Sequence, residues 1–307
     1  MSEEVIDTLL GIALFEGRSA EEFSYQRLGG LTNRNFKVVL DDESFMLRIA
    51  GDGTDEYIDR KAEEVCARIT AKAGVNAEVL FFDAVNGVQL TRYIDGAKTM
   101  NEILFKDLGA VARAGQALRK VHDCGDSFST EFNIFTMMDD YLLMLRKKNA
   151  WIPDHYEKTQ IKAEAVRTAL AANPAALVPC HCDPLAENFL DTGARMVIVD
   201  WEYSGNNDAM WDLGDLSVEA KFDSQQDDAL LEAYFDGPVP PDKRARMIMF
   251  KAMCDLLWTL WGAIQVASNN PAEDFRAYAE GRFENCKKLM GSDEFKSQLS
   301  LLLRLED

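Results

Sequence analysis

Positive charge is what this sequence has least of. Its 307 residues hold 33 Lys and Arg against 52 Asp and Glu, a formal net charge of −19. That balance excludes proteins that grip nucleic-acid backbones, which need clustered Lys and Arg. Anionic membrane surfaces repel it as well. It suits a cationic small molecule as partner, and it also serves plain solubility. A long hydrophobic run is missing too. The most apolar late stretch, 247–266, is broken by Lys251 and Asp255, whereas a membrane span needs about 20 apolar residues. The start, Ser2-Glu-Glu4, is acidic where a secretory signal is basic, so a cytoplasmic location is expected. The six cysteines (66, 124, 180, 182, 254 and 286) are scattered and read as reduced thiols. Cys180-His181-Cys182 invites a metal reading, but zinc takes about four ligands and no second Cys or His pair lies nearby. In a strand the two thiols share one face and His181 points to the other, so a structural thiol pair is expected. Internal repeats and low-complexity tracts are absent.

What is present is a change of pattern near residue 96. Helical periodicity over 3–15 is followed by strand-like runs at 23–28, 35–40 and 45–50. A helix over 57–73 comes next, with Gly74 at its C-cap, and then strands 78–83 and 88–94. Asn86-Gly87 between the last two is a strong hairpin signal. Residues 1–96 therefore read as a small antiparallel β domain with one internal helix. Thr99-Met-Asn-Glu102 has the form of a capping box. From there to 307 helices dominate, over 104–122, 137–149, 155–172, 209–220, 225–235, 241–267, 272–289 and 292–304. The exception is a β insertion at 177–182 and 195–200. The expected class is α+β: a bilobal, protein-kinase-like fold with a small antiparallel β N-lobe and a larger, mostly helical C-lobe over 97–307.

The β insertion frames the chemistry. His181-Cys-Asp183-Pro-Leu-Ala-Glu-Asn188 is followed by Met196-Val-Ile-Val199, which delivers Asp200. Two carboxylates and an amide at this spacing fit metal-assisted phosphoryl transfer. Asp183 can take a proton from a hydroxyl, and Asn188 and Asp200 can hold Mg²⁺ through oxygen. Read on their own, the same residues can cap loops and strand ends. His122, at a helix end, is expected to hydrogen-bond structurally.

These motifs resemble the choline/ethanolamine kinase family, within the aminoglycoside phosphotransferase and protein-kinase-like superfamily, from about residue 27 to 290. The resemblance implies ATP-dependent phosphorylation of a small cationic amino alcohol, with ATP and Mg²⁺ as cofactors. By the family pattern Asp183 is the catalytic base, and Asn188 and Asp200 are the metal ligands. Gly29-Gly30-Leu-Thr32-Asn33 matches the phosphate loop, so Gly30, Thr32 and Asn33 face the nucleotide. Arg48 stands where protein kinases carry Lys, and its fork can grip phosphates bidentately. Glu63 is assigned to orient Arg48, with Glu64 one helical step away as the alternative. Leu256-Leu-Trp258-Thr-Leu-Trp261 resembles the family's late helix. Trp258 and Trp261, three apart, share a face and can bracket an ammonium by cation–π attraction. Tyr278 and Tyr203 align with further pocket aromatics, and Asp212 and Glu219 with acids beside the pocket.

The aromatic set favours choline. A quaternary ammonium has no N–H and relies on ring faces, whereas a primary one gains from acceptors. The rivals are ethanolamine and thiamine kinases and, from another class, a non-catalytic pseudokinase sensing a cation or nucleotide.

Overall fold

The computed structural model describes residues 2–29, 33–51, 54 and 58–304. The chain begins with α1 (Ser2–Leu10), β1 (Phe23–Arg27), β2 (Arg34–Leu40), β3 (Glu43–Ile49), α2 (Arg60–Lys72), β4 (Val79–Asp83), β5 (Val88–Arg92) and β6 (Lys98–Thr99). It continues with α3 (Leu108–His122), α4 (Ile134–Lys147), α5 (Tyr156–Ala172), β7 (Leu177–Cys180), β8 (Phe189–Asp191) and β9 (Met196–Ile198). The last elements are β10 (Gly205–Asp208), α6 (Ala209–Glu219), α7 (Ser224–Phe235), α8 (Pro241–Ala267), α9 (Phe275–Gly291) and α10 (Asp293–Arg304).

Two compact units divide the chain, and the division is not sequential. The first holds residues 1–99 and 188–203, the second 100–187 and 204–307. The expected boundary at 96/97 thus misses an exchange: the segment carrying Asn188, Asp200 and Tyr203 belongs with the β-rich unit, because β8 pairs with both β6 and β9. A ladder of short strands is completed only by a neighbour distant in sequence.

The first unit is built on an antiparallel sheet in the order β1-β2-β3-β5-β4. Alternation in β2 buries Phe36, Val38 and Leu40, the period-two pattern of a sheet with one covered face. They pack with Phe45, Leu47 and Leu90 and with Val5 and Leu9 of α1. The β4–β5 hairpin turns through Gly87 at φ +67°, as its Asn-Gly turn requires. Asp59 caps α2, accepting from Lys61 and Ala62 N–H at 3.0 and 3.1 Å.

The second unit is organised around α8, buried along most of its 27 residues. Close helix contacts need glycine at two places. A Cβ on Gly214 of α6 would stand 2.9 Å from Met247 O, and one on Gly262 of α8 would stand 2.9 Å from the Tyr278 ring. Thr99-Met-Asn-Glu102 does not start a helix. Thr99 ends β6 and Glu102 pairs with Lys221 at 2.8 Å. Helix α3 is instead capped by Asp107, which accepts Gly109 N–H at 2.9 Å.

Candidate active site

In the first unit β3 carries Arg48 into the interior, where it is 5% exposed. Its guanidinium forms an ion pair with Glu63 and lies 3.3 Å from Asp200 and 4.0 Å from Glu202. Glu63, not Glu64, is therefore the partner of Arg48; Glu64 turns outward to Arg68 at 2.8 Å. Burial works against the Arg48 charge, but Glu63, Asp200 and Glu202 outweigh it and hold the group protonated. One donor, Nε, is buried and has no partner among the described residues.

Two further residues, unmarked in the sequence reading, complete the network. Arg60 reaches Glu63 at 2.7 Å, Glu202 at 3.2 Å and Thr54 Oγ1 at 2.5 Å. Glu202 also accepts from Asn33 Nδ2 at 3.1 Å. Asn33 itself is 5% exposed, and its other amide atom takes the Gly51 N–H at 3.4 Å. Its side chain is thus committed to the network. Gly30 and Thr32 lie outside the described residues.

Asp200 follows β9 with φ +69°, a left-handed conformation that Asp tolerates better than most residues. Burial, then the like charge of Glu202, push its carboxyl up to about 7, with Arg48 opposing. Its side chain keeps 36% of its surface, so water moderates the effect. Carboxylate oxygens of Glu63, Asp200 and Glu202 lie within 4.8 Å of one another. Such crowded, oxygen-only donors suit a hard divalent cation, whose charge would relieve their mutual repulsion. Asn188 ends a 3-10 turn, Ala186–Asn188, and its carbonyl accepts Val199 N–H at 3.0 Å. That bond ties it to the strand end that leads to Asp200.

In the second unit, β7 stops at Cys180 and the loop begins. Cys182 adopts φ +69°, so the strand alternation expected through Cys180-His181-Cys182 ends one residue in. Asp212 of α6 holds the turn. Its Oδ2 accepts His181 N–H at 2.7 Å and its Oδ1 accepts Cys182 N–H at 2.9 Å. His122 Nε2 stands 3.1 Å from the same Oδ2, and Tyr234 Oη is 2.9 Å from His122 Nδ1. An acceptor on Nε2 puts the imidazole proton there, and the tyrosine then donates to Nδ1. His122 is structural, as expected. Asp212, expected beside a bound cation, instead has both oxygens engaged by His181 N–H, Cys182 N–H and His122 and holds the loop from beneath. Asp183 emerges half-buried from this support.

The aromatic residues of this unit meet as the spacing implied. Trp258 and Trp261 stand edge-to-face with centroids 6.3 Å apart, and Trp261 meets Tyr278 at 5.7 Å. Tyr203 belongs to the first unit. Beside the rings lies a residue that sequence reasoning passed over. Arg282, one turn after Tyr278, stands 5.1 Å from that ring's centroid, pairs with Glu219, and reaches Asp255 at 3.2 Å. Burial pushes Asp255 up to about 6, with Arg282 opposing. The i,i+4 spacing of Tyr278 and Arg282 was the only sequence signal for this contact.

The sequence profile of the phosphotransferase enzyme family matches residues 25–248. A solved choline/ethanolamine kinase family protein from Mesorhizobium loti is 51% identical, covering 98% of this chain and 99% of its own, with a TM-score of 0.90. The chain belongs to the choline/ethanolamine kinase family. It is accordingly a small-molecule kinase with the α+β bilobal, protein-kinase-like fold. More distant relatives are similar along most of their length. The solved choline kinase LicA from Streptococcus pneumoniae is 27% identical over 94% of this chain and 98% of its own, with a TM-score of 0.77. Protein LicA of Haemophilus influenzae is 28% identical over 87% of this chain and 79% of that protein.

Proposed function

We propose that this kinase transfers the γ-phosphoryl group of ATP, with Mg²⁺, to the hydroxyl of choline. The observation that carries the choline reading is the mutual packing of Trp258, Trp261 and Tyr278 in the same unit as Asp183. Ring faces are what a cation without N–H donors requires. Two relatives bear the name LicA, one of them described as a choline kinase.

In this reading Asp183 accepts the hydroxyl proton as the oxygen attacks phosphorus, and the loop grip of Asp212 fixes its direction. Arg48, oriented by Glu63, binds the nucleotide phosphates, and its Nε, without a partner among the described residues, is a donor suited to an anionic oxygen. Gly30 and Thr32 contribute from the phosphate loop. Asn188 and Asp200 would hold Mg²⁺, with Glu202 as a third oxygen donor nearby, and the ion would supply charge neutralisation at the phosphoryl group. Trp258, Trp261 and Tyr278 offer their rings to the trimethylammonium, Glu219 adds negative charge, and Tyr203 is assigned to the substrate by the family resemblance.

The test is ADP release with choline, ethanolamine and thiamine in parallel, at saturating ATP and Mg²⁺. Choline-dependent turnover is expected. Choline binding without ADP release would overturn the reading in favour of a sensor, and turnover with thiamine alone would move the substrate class.

A further inference from the structure

The carboxylates of the second unit are unequally committed. Three of them, Asp215, Glu219 and Asp255, are grouped about Cys254, and the single Arg282 engages Glu219 and Asp255. Asp215 is not among its ion pairs. Although 0% exposed, it has one hydrogen-bond partner among the described residues, the Cys254 thiol, which donates to Oδ1 at 3.0 Å. Its Oδ2 is buried and has no hydrogen-bond partner among the described residues. Native proteins rarely leave a buried carboxylate oxygen unpaired, because desolvation without a donor is costly.

The placement of Asp215 says what the missing donor would be. Asp215 and Glu219 are four apart on α6 and share a face, and Cys254 and Trp258 are four apart on α8. The Asp215–Cys254 contact therefore sets the acidic side of α6 against the stretch of α8 that leads into the two indoles. Burial is the main resistance to ionisation of Asp215, and the negative charges of Glu219 and Asp183 add to it. The buried, unpartnered oxygen thus lies within electrostatic reach of the catalytic base, in a negative environment that a cation would neutralise.

We propose that Asp215 is a specificity-determining residue of the cation subsite: its Oδ2 accepts a hydrogen bond from an ammonium N–H of the substrate. This rests on the reading of the site as an amino-alcohol kinase. Aromatic faces hold any ammonium, methylated or not, whereas a buried acceptor rewards only those that keep an N–H. Asp215 therefore grades the substrates by the hydrogens left on nitrogen, and Glu219, already engaged by Arg282, supplies charge without that discrimination.

The experiment measures kcat/KM for choline, N,N-dimethylethanolamine, N-methylethanolamine and ethanolamine in the wild type, Asp215→Asn and Asp215→Ser. The variants should lose about 10- to 100-fold on the three N–H-bearing substrates relative to choline, the range for a hydrogen bond to a charged group. An equal loss on all four substrates means a structural role and overturns the proposal, as does no loss on any. Should both variants fail to fold, the wild type alone decides. Ethanolamine turnover within about tenfold of choline is expected, and none detectable with ethanolamine overturns the proposal. Wild type inactive on all four substrates would instead overturn the kinase reading beneath it.

Discussion

Asp212 shows how a charge can serve a site without touching a substrate. One carboxylate takes two consecutive loop N–H groups and an imidazole, so the turn that presents Asp183 is held before any ligand arrives. Replacing Asp183 by Asn should remove the proton acceptor and leave that scaffold intact. The expected outcome is a fall in kcat of about 10²- to 10⁴-fold, the usual contribution of a general base, with the KM for choline little changed. Steady-state kinetics check it, and wild-type-like kcat would remove Asp183 from its role. The grouping of Arg48 with Glu63 and Asp200 was legible in the sequence, because a motif named each of the three. Partners set by tertiary structure were not. The engagement of Glu219 by Arg282 depends on α6 meeting α9, and the burial of Asp212 depends on α6 lying under the loop. Neither follows from spacing along one element.

The element that does most is α8, and its contact with α9 is set by Gly262. A side chain there would press on the Tyr278 ring and on Ala279 Cβ, 3.0 Å from where a Cβ would stand. Gly262→Val should therefore destabilise the protein by about 1–3 kcal/mol through overpacking and raise the KM for choline by displacing Tyr278 from Trp261. Denaturant midpoints and kinetics on the same variant separate the two effects. An unchanged KM would show that the Trp261–Tyr278 contact does not shape the cation subsite. Long periodic elements were readable within a few residues, except that the helix expected over 3–15 stops at Leu10 and gives way to a 3-10 turn at Ala13–Phe15. Helix α8 spans 241–267 as expected, and α2 begins three residues late because Asp59 caps it. The strand β10, Gly205–Asp208, was invisible, since Gly-Asn-Asn-Asp has none of the β-branched or aromatic residues that mark a strand. It forms because β7 offers it an edge.

Across the whole molecule, buried acids couple stability to pH. Asp255 is raised to about 6 in the folded chain, whereas an unfolded Asp titrates near 3.9. Between about pH 4 and 6 the folded state thus binds a proton that the unfolded state does not. Its contribution is fully present below the unfolded value and is lost as pH rises through 6. Lowering the pH from 7 to 4.5 should therefore stabilise the wild type relative to Asp255→Asn, by on the order of 1–2 kcal/mol. Denaturant melts across that range check it, and parallel curves for the two proteins would assign the titration elsewhere.

Helix α8 has one more consequence. By length and apolarity Pro241–Ala267 would qualify to cross a bilayer, yet 83% of its most apolar window is buried within the protein. A nascent chain has no such shelter, and a segment of this kind emerging from the ribosome resembles cargo for membrane insertion. Lys251 and Asp255 stand in its middle. In the folded unit they meet Asp227 at 2.5 Å and Arg282 at 3.2 Å. Before folding, each adds about 2.5–3.5 kcal/mol to the free energy of inserting that helix. The same two charges that tie α8 to its neighbours thus raise the cost of placing the unfolded segment in lipid.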